Sequence, residues 1–575
     1  MKVVRHQHIY DLAEVCAAHG IQEAVICPGS RSAPLVLAFS NHQSITCRVI
    51  PDERTAGFIA LGMAQASQRP VVLICTSGSA AYNFAPAIAE AFYQEVPLII
   101  CTADRPLEWI GQRDGQTIQQ ERIYGGHVKA FFNVQAEDQP EGNWLSNRMM
   151  NEAILLSQSG ASGPVHLNFP FREPLYPAGT DSITFRKPRV IQEKKSSRFL
   201  DTTTIAELRK TLTRFDKILI VAGQYLPKKD FIQTLHQSKN IPIVGEILSN
   251  LHGVPMLIRH ADTMLSSATD EDKNALRPAL LLTWGNGILS KNTKLFLRKF
   301  PANQHWHIQE EGTVADTFQN LSQIIRCTPE YFCSEILNKS TASARAKINR
   351  KNYLKQWLLK DEATQITIES TVKKSGTEAE VVQSILSALP ARCDLHLANS
   401  MSVRHANLIG LTTNRTGVKV FSNRGTSGID GCTSTAVGHQ LKKKDPQILI
   451  TGDVAFFYDG NAFWHNEKPV GLRICLINNK GGRIFQIIDG PRDRKEAEPY
   501  FVGPQPKNAE TFCAENSIAY QRILQQQINE PNQLRILLKD FFKDSSPKIK
   551  LIEFFCESGN ELSLLQEIRK KLKDT

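Results

Sequence analysis

The sequence predicts an α/β protein of three domains, each a doubly wound and mostly parallel sheet covered by helices. At 575 residues the chain is too long for one hydrophobic core. Strand-like apolar runs alternate with helical patterns almost throughout the chain. Several of these runs, such as residues 71–75 and 97–101, are unbroken apolar stretches, which are typical of parallel strands buried on both faces.

The first domain is predicted to span residues 1–185. Its strands are expected at residues 23–27, 71–75, 97–101 and 164–169. A polar stretch at residues 186–198 marks its end, and the second domain, residues 186–360, is expected to be a smaller Rossmann-like sheet. Its strands are expected at residues 218–223, 242–244, 279–282 and 306–308. Gly285-Asn286-Gly287 lacks the complete glycine fingerprint and acidic residue of a dinucleotide site, so such a site is disfavoured.

The third domain is predicted to span residues 375–575. A charged stretch without clear periodicity, residues 339–374, separates it from the second domain. Strands are expected at residues 394–398, 418–421, 447–450 and 472–477. The candidate functional residues lie mainly in the first and third domains, after predicted strands, where open α/β sheets bind ligands.

Composition and charge exclude several classes of protein. No apolar run reaches the roughly 18 residues that a membrane-spanning helix needs. Residues 1–20 lack the apolar core of a signal peptide, so we expect a cytoplasmic protein with no membrane partner. The net charge is +11, but basic residues form only short runs, which disfavours nucleic acid as a partner. A basic balance also suits an enzyme that gathers small anions.

Three segments of the third domain predict a site for a cation and a diphosphate. Asp453 and Asn479 each follow an apolar run and would supply a carboxylate and an amide oxygen from neighbouring strand ends. Residues 422–431 are rich in glycine and hydroxyl groups and precede a helix of small residues, as in phosphate-binding turns. Alone, each segment is equally typical of a helix cap, an Asx-turn or a plain turn. Together they favour Mg²⁺ shared between side chains and phosphates.

Glu53 supplies the second half of the prediction. It begins a helix of small residues, where the helix dipole alone would stabilise a carboxylate. Combined with a cation–diphosphate site, however, Glu53 resembles the acid that thiamine diphosphate requires. Such an acid holds N1′ of the aminopyrimidine, so that the 4′-imino group can deprotonate C2 of the thiazolium. The expected cofactors are therefore thiamine diphosphate and Mg²⁺ or Mn²⁺.

Arginines follow four predicted strands. Arg31, Arg105, Arg404 and Arg424 all lie just after a strand or at the start of the next helix. Surface ion pairing is the usual role of an arginine. Four arginines in equivalent positions are better explained by ligands that carry carboxylates, because the guanidinium group binds them in a bidentate manner.

These motifs resemble the 2-succinyl-5-enolpyruvyl-6-hydroxy-3-cyclohexene-1-carboxylate synthase family of menaquinone biosynthesis, over essentially the whole chain. The resemblance rests on residues 27–35 (CPGSRSAPL), 52–54, 76–80, 102–106, 422–431, 452–453 and 478–485. Related decarboxylases have Gly-Asp-Gly at the metal motif, whereas Gly452-Asp453-Val454 is closer to this synthase.

The resemblance implies pyrimidine-binding, central and diphosphate-binding domains of the thiamine-diphosphate-enzyme type. It implies a homodimer or homotetramer, in which Glu53 of one subunit and Asp453 and Asn479 of another enclose the cofactor. The implied transferase reaction is decarboxylation of 2-oxoglutarate, followed by 1,4-addition of the succinyl carbanion equivalent to isochorismate. The cofactor supplies the carbanion chemistry, and the protein orients the substrates.

The resemblance also assigns roles to individual residues. The catalytic residues are Glu53 and Gln116. The cofactor-binding residues are Glu53, Ser77, Gly78, Ser427, Ile429, Gly452, Asp453, Asn479, Gly481 and Ile484, of which Asp453, Asn479 and Gly481 bind the metal. The substrate-binding residues are Ser30, Arg31, Arg105, Lys291, Ser400, Arg404, Arg424, Phe485 and Ile488. The chain departs from some relatives at Asn292, where they have Arg, and at Gly115, where they have Asn.

Two other functions remain open from the sequence. One is another thiamine-diphosphate decarboxylase or carboligase acting on 2-oxoacids, such as an acetolactate-synthase-like enzyme. The other is a catalytically silent regulatory relative. The intact Glu53, Asp453 and Asn479 argue against the silent relative, because it could lose them freely.

Overall fold

The computed structural model describes residues 6–134, 139–178, 182–194, 199–228, 230–237, 240–467, 469–556 and 560–574. It contains three six-stranded sheets, and every strand pair in this part of the chain is parallel. Helices cover the sheets. The prediction of an α/β fold with three parallel-sheet domains is confirmed.

The first sheet has the strand order β2-β1-β3-β4-β6-β5. Its strands are β1 Glu23–Ile26, β2 Thr46–Val49, β3 Val71–Cys75, β4 Leu98–Asp104, β5 Phe131–Asn133 and β6 Val165–Pro170. Its helices are α1 Gln7–Ala18, α2 Ala33–Ser40, α3 Glu53–Ser67, α4 Ser79–Asn83, α5 Ala85–Tyr93 and α6 Pro140–Gln158. The central strands β1, β3 and β4 are buried along their whole length, as their unbroken apolar sequences predict.

The second sheet begins at its centre and grows outwards in both directions, with the order β12-β11-β10-β7-β8-β9. Its strands are β7 Ile218–Ala222, β8 Ile243–Gly245, β9 Leu257–Ile258, β10 Leu280–Trp284, β11 Gln304–Ile308 and β12 Gln323–Ile325. Its helices are α7 Thr202–Leu212, α8 Phe231–His236, α9 Ala261–Ser267, α10 Asp270–Leu276, α11 Lys291–Lys299, α12 Pro329–Tyr331 and α13 Ala344–Val372. This doubly wound order is that of Rossmann-like folds, as expected.

The third sheet has the order β14-β13-β15-β16-β18-β17, which repeats the order of the first sheet strand for strand. Its strands are β13 Arg392–Leu397, β14 Gly417–Phe421, β15 Gln447–Gly452, β16 Arg473–Asn478, β17 Ala519–Ile523 and β18 Lys550–Phe555. Its helices are α14 Glu378–Ala388, α15 Met401–Ile409, α16 Cys432–Gln440, α17 Asp453–Tyr458, α18 Glu510–Glu515, α19 Gln525–Ile528, α20 Pro531–Lys543 and α21 Asn560–Asp574.

Six strands were absent from the sequence prediction, and five of them are short or polar strands near sheet edges. These are β2, β5, β9, β12 and β17. The sixth, β18, is an inner strand whose apolar run is interrupted by Glu553. This carboxylate is completely buried and accepts hydrogen bonds from Asn478 Nδ2, Ala509 N and Tyr520 OH. A buried charge with three donors is compatible with an inner strand.

Residues 339–374 were expected to be poorly patterned, yet most of them form the 29-residue helix α13. Tyr353 and Trp357 pack into the core of the second domain, and Ile368 packs against α21 of the third. Asp361 interrupts this buried stripe and accepts a hydrogen bond from His260 N at 2.8 Å. Because of this polar residue, the helical spacing of the apolar residues could not be recognised in the sequence. Residue 360, the predicted end of the second domain, lies inside α13 and does not separate two elements. The predicted domain limits at 360 and 375 remain a proposal.

Helices α3 and α16 cross at two glycines that allow their backbones to touch. A Cβ atom added at Gly62 would lie 2.1 Å from Thr435 O, and one added at Gly438 would lie 2.1 Å from Ile59 O. Both distances are far shorter than any real contact of a Cβ atom. This crossing joins the first and third domains. No helix within the described residues is long and apolar enough to cross a membrane.

We predict that Gly438→Ala lowers the free energy of unfolding by about 1–3 kcal/mol, because its methyl group would force α3 and α16 apart. Helix propensity alone would make alanine more stable than glycine by about 1 kcal/mol. A lower free energy of unfolding would therefore result from the contact between the helices and not from helix propensity. Gly126→Ala is the control, since a Cβ atom there meets nothing within 4 Å. Denaturant unfolding of both variants checks the prediction, and equal stabilities would contradict it.

Candidate functional site

Glu53 is the first residue of α3, and its position is fixed by the residue before it. Asp52 caps the helix, accepting a hydrogen bond from Thr55 N at 3.1 Å. Burial is the main cause that raises the pKa of Glu53 above its ordinary value. The charge of Glu53 in turn helps to raise the pKa of the Cys27 and Cys75 thiols, which places its carboxylate near the ends of β1 and β3.

Ser77 and Gly78 follow β3 in a turn that the rest of the domain holds in place. Ser77 is 2% exposed, and its Oγ is a buried atom without a hydrogen-bond partner. Gly78 has a φ of +85°, which favours glycine, and its N–H donates to Gln120 Oε1 at 2.9 Å. Gln120 also donates to Ala103 O and Asn168 Oδ1, so it joins this turn to β4 and β6.

The substrate residues predicted in the first domain lie after β1 and β4. Arg31 is buried and donates to Phe171 O and to Glu173, while Ser30 beside it is exposed. Arg105 donates to Gly115 O at 3.0 Å, which brings it to the residue before Gln116. Gln116 is exposed, and its backbone lies against Gly78. The structure therefore brings Gln116, Gly78 and Arg105 to one end of the first sheet.

In the third domain, Asp453 and Gly481 join the ends of β15 and β16. Asp453 is 2% exposed, and its Oδ2 accepts hydrogen bonds from Gly481 N at 2.9 Å and from Gln505 Nε2. Burial raises the pKa of Asp453 to about 6, although these donors oppose the shift. Gly481 has a φ of +146°, and a Cβ atom there would crowd Val502. Gly452 is open, since a Cβ atom there meets nothing within 4 Å.

Asn479 lies beside this pair with its amide held in one orientation. Its Nδ2 donates to Glu378 Oε1 at 2.7 Å, and its Oδ1 is a buried atom without a hydrogen-bond partner. An unsatisfied buried oxygen normally costs about 1–3 kcal/mol. Beyond Glu378 lie His405 and Glu561, both buried. Burial opposes the charge of His405, but Glu561 and Glu378 outweigh it and raise the pKa of His405.

Residues 422–431, which we call the glycine-rich loop, are held from two sides. Glu90 on α5 is completely buried and accepts hydrogen bonds from Gly425 N, Thr426 N and Thr426 Oγ1 at 2.8, 2.6 and 2.6 Å. Asn399, after β13, donates to the carbonyl groups of Asn423 and Gly428. Ser427 is exposed, with a φ of +63°. The first domain therefore holds the start of the glycine-rich loop in place, and Ser427 remains exposed to solvent.

Two of the predicted substrate arginines in the third domain lie close together. Arg424 donates to Asn399 Oδ1 at 2.9 Å, and Arg404 donates to the carbonyl group of Ser400, whose φ is +72°. Burial is the main cause that lowers the pKa of both guanidinium groups, and the charge of Arg424 lowers the pKa of Arg404 further. Arg424 also lines a cavity of about 500 Å³ that all three domains border.

The second domain offers two lysines at the start of α11. Lys291 is exposed at the start of α11. Lys294 is half-buried, and its pKa is lowered chiefly by burial, with Glu246 opposing the shift and Arg424 adding to it. The charge of Arg424 therefore reaches Lys294, a residue that sequence reasoning missed.

The apolar residues of the site lie on two segments. Ile429 packs against the small buried residues Ala398, Cys432 and Ala455, next to the end of β13 and the start of α17. Ile484 and Phe485 lie in the 3₁₀ turn Arg483–Gln486, where the rings of Phe485 and Phe501 are 5.8 Å apart. Ile488 is 42% exposed.

The residues of the third domain fit a cation and a diphosphate. Asp453 offers a carboxylate, Asn479 offers a free amide oxygen, and the glycine-rich loop offers backbone and hydroxyl groups near a helix start. Mg²⁺ uses few protein ligands and completes its shell with phosphates and water. In agreement, the described residues contain no cluster of three or more His, Cys, Asp or Glu side chains suited to a metal.

Within one chain, the turn that carries Glu53 contacts the third domain near the C-terminal end of α17. In the described part of the chain, Asp52 accepts from Asn461 Nδ2 at 2.6 Å, and Arg54 donates to Tyr458 O at 2.8 Å. Both partners follow the C-terminal end of α17 or form it, whereas Asp453 begins that helix. These hydrogen bonds connect the turn of Glu53 to the far end of α17.

Sequence reasoning also missed the partners that hold the predicted residues. These are Gln120 for Gly78, Gln505 for Asp453, Glu378 for Asn479 and Glu90 for the glycine-rich loop. Each lies 42 or more residues from the group it holds. No local pattern identifies them, because each is an ordinary polar residue in an ordinary helix or loop.

Two family models match the chain. A family model described as the thiamine pyrophosphate enzyme N-terminal TPP binding domain matches residues 10–123, and one described as the middle domain of thiamine pyrophosphate matches residues 184–397.

Three curated relatives are named 2-succinyl-5-enolpyruvyl-6-hydroxy-3-cyclohexene-1-carboxylate synthase. The protein from Cytophaga hutchinsonii is 42% identical over 99% of both chains. The protein from Phocaeicola vulgatus is 34% identical over 99% of both chains, and that from Flavobacterium psychrophilum is 36% identical over 89% of this chain and 90% of its own. The chain therefore belongs to the 2-succinyl-5-enolpyruvyl-6-hydroxy-3-cyclohexene-1-carboxylate synthase family of thiamine-pyrophosphate enzymes.

Proposed function

We propose that the protein decarboxylates 2-oxoglutarate and adds the resulting succinyl carbanion equivalent to isochorismate in 1,4 fashion, releasing CO₂. The observation that carries this proposal is the grouping of Asp453, Gly481 and the free Oδ1 of Asn479 at one sheet edge. Membership of the family gives the substrates. The reaction belongs to menaquinone biosynthesis, as the family name implies.

In this proposal, Asp453, Asn479 and the carbonyl oxygen of Gly481 bind Mg²⁺ or Mn²⁺. The Gly481 carbonyl already accepts from Arg483 N, and a carbonyl oxygen has a second lone pair for a cation. Ser427 and Gly452 would contact the diphosphate, and Ile429 and Ile484 the apolar body of the cofactor. When bound, thiamine diphosphate supplies the electron sink that permits loss of CO₂ from a 2-oxoacid.

Glu53 would hold and share the proton at N1′ of the aminopyrimidine. Burial raises the pKa of Glu53, which favours the protonated carboxyl group that a hydrogen bond to N1′ requires. Ser77 and Gly78 lie in the turn after β3, and the Oγ of Ser77 is buried without a hydrogen-bond partner. These two residues would complete the pocket for the aminopyrimidine ring. Gln116 would act beside them on the substrates.

The cationic residues would bind the substrate carboxylates. Both substrates are dianions; Arg404 is exposed, whereas Arg424 is half-buried and burial lowers its pKa, so its guanidinium group is only partly solvated. A bound carboxylate would restore favourable electrostatics and accept bidentate hydrogen bonds. Ser30, Arg31, Arg105, Ser400 and Lys291 would complete the polar wall, and Phe485 and Ile488 the apolar wall.

The site would require two chains. The turn of Glu53 bonds to the far end of α17 within its own chain, away from Asp453. The family resemblance implies that Glu53 of one subunit meets Asp453 of another, so we expect a homodimer or homotetramer. The absence of a membrane-spanning helix among the described residues and the small anionic substrates fit a cytoplasmic enzyme.

The proposed reaction is tested with purified protein, thiamine diphosphate and Mg²⁺. We expect CO₂ release from 2-oxoglutarate to depend on isochorismate and to accompany loss of the isochorismate absorbance. Pyruvate in place of 2-oxoglutarate is the control, because it lacks the second carboxylate that the arginines would bind. Turnover of pyruvate without isochorismate would instead identify an acetolactate-synthase-like decarboxylase or carboligase.

Glu53→Gln should bind the cofactor and lose most of its turnover, about 10²-fold or more, because an amide cannot donate and accept the proton as an acid does. Isothermal calorimetry measures the binding and the coupled assay measures the rate. Asp52→Asn, which changes the neighbouring helix cap, controls for loss of the helix. Wild-type rates in Glu53→Gln would remove Glu53 from its role.

Asp453→Ala should abolish Mg²⁺-dependent binding of thiamine diphosphate, since it removes the one carboxylate among the proposed ligands. It should leave the fold intact, because burial of the charged form already disfavours this carboxylate, as its pKa of about 6 indicates. Calorimetry at several Mg²⁺ concentrations, together with the unfolding midpoint of the cofactor-free protein, measures both effects. An unchanged affinity would contradict the assignment.

A further inference from the structure

Behind the proposed cation ligand Asn479 lies a buried cluster of three ionisable side chains, which we call the Glu378 cluster: Glu378, His405 and Glu561. All three are less than 10% exposed. Glu378 begins α14, His405 lies on α15 and Glu561 lies on α21. Nothing in the proposed reaction uses these residues, yet an ionic cluster this deep is expensive unless each group is paired.

The cluster is held by specific contacts. Glu561 Oε1 accepts from Glu378 N at 2.5 Å, which caps the start of α14. His405 Nε2 lies 3.5 Å from Glu378 Oε2 and 3.7 Å from Glu561 Oε2. The other oxygen of Glu378, Oε1, accepts from Asn479 Nδ2 at 2.7 Å. Glu378 thus faces the imidazole of His405 on one side and the amide of Asn479 on the other.

We infer that Glu378 is a positioning residue, which fixes the amide of Asn479 so that its oxygen faces the cation. An asparagine amide can bind in two orientations related by a flip, and only one presents oxygen to a metal. A carboxylate can only accept, so Glu378 selects the orientation in which Nδ2 points to it. The free, buried Oδ1 of Asn479 is the result. This inference rests on the proposed function, in which Asn479 is a cation ligand.

His405 determines what a glutamine would do in place of Glu378. With His405 Nε2 as a donor on one side, Glu378→Gln would turn its oxygen towards His405 and its NH₂ group towards Asn479. The amide of Asn479 would then flip to accept that hydrogen bond and would present NH₂ to the cation. Residues that orient metal ligands in this way typically contribute about 10–100-fold to metal affinity.

A double-mutant cycle with Asn479→Asp tests the inference through cation binding rather than activity. In the wild-type background, Glu378→Gln should weaken Mg²⁺-dependent binding of thiamine diphosphate by about 10-fold or more. In the Asn479→Asp background, the same Glu378→Gln change should strengthen it, since the glutamine NH₂ donates to an aspartate that Glu378 would repel. The sign of the effect therefore reverses, and a purely structural role would give the same sign in both backgrounds.

Glu380→Gln is the matched control. Glu380 lies on the same helix, is 2% exposed and accepts hydrogen bonds from Lys374 N and Gly376 N. Its variant should lower the unfolding midpoint and leave Mg²⁺ affinity unchanged. If Glu378→Gln does not fold, Glu378→Ala replaces it, because alanine also removes the repulsion of Asn479→Asp.

The outcomes separate this inference from the proposed function. Wild-type protein that binds no thiamine diphosphate with Mg²⁺ would overturn both. Normal binding by the wild type, its loss in Asp453→Ala and no sign reversal would overturn the role of Glu378 alone. Reversal with an unaffected Glu380→Gln supports it.

Discussion

The hydrogen bond from Gly481 N to Asp453 Oδ2 is the contact that positions the candidate cation site of the third domain. It joins the ends of two neighbouring parallel strands, which any parallel sheet brings to one edge. It requires a backbone N–H that points inward, and the glycine with φ of +146° provides it. It also requires a buried carboxylate, whose pKa burial raises to about 6. A bound cation would supply the missing charge compensation.

The first and third sheets share one strand order, so equivalent loops carry the candidate residues. Arg31 and Ser400 follow the first strand of each sheet, and Ser77 and Asp453 follow the third. Helices α3 and α16 are equivalent by the same count, and they cross at Gly62 and Gly438. One strand order, used twice, would thus present one edge to the ring of a cofactor and the other to its diphosphate.

Much of this arrangement could be predicted from the sequence, because its signals are local. Unbroken apolar runs identified the central strands, and the polar residues after them marked the edges where Asp453 and Asn479 lie. Strand β18 and helix α13 were not predicted, because each contains a buried carboxylate, Glu553 or Asp361. The hydrogen-bond partners of these carboxylates lie far along the chain, so the sequence gives no local sign of them. Short edge strands such as β2 carry too little apolar sequence to stand out. Roles of individual residues came from resemblance and not from pattern.

The partners of the predicted residues mark the limit of sequence reasoning. Glu90 lies 335 residues before Gly425, and Glu378 lies 101 residues before Asn479. Neither pairing has a local cause, yet both follow from one rule: a buried polar group needs a partner. Glu90 and Glu378 satisfy backbone and amide N–H groups, and because carboxylates only accept, they leave oxygens such as Asn479 Oδ1 without donors. The acidic residues around the site therefore do more than stabilise it, since they determine which atoms remain available to a cation.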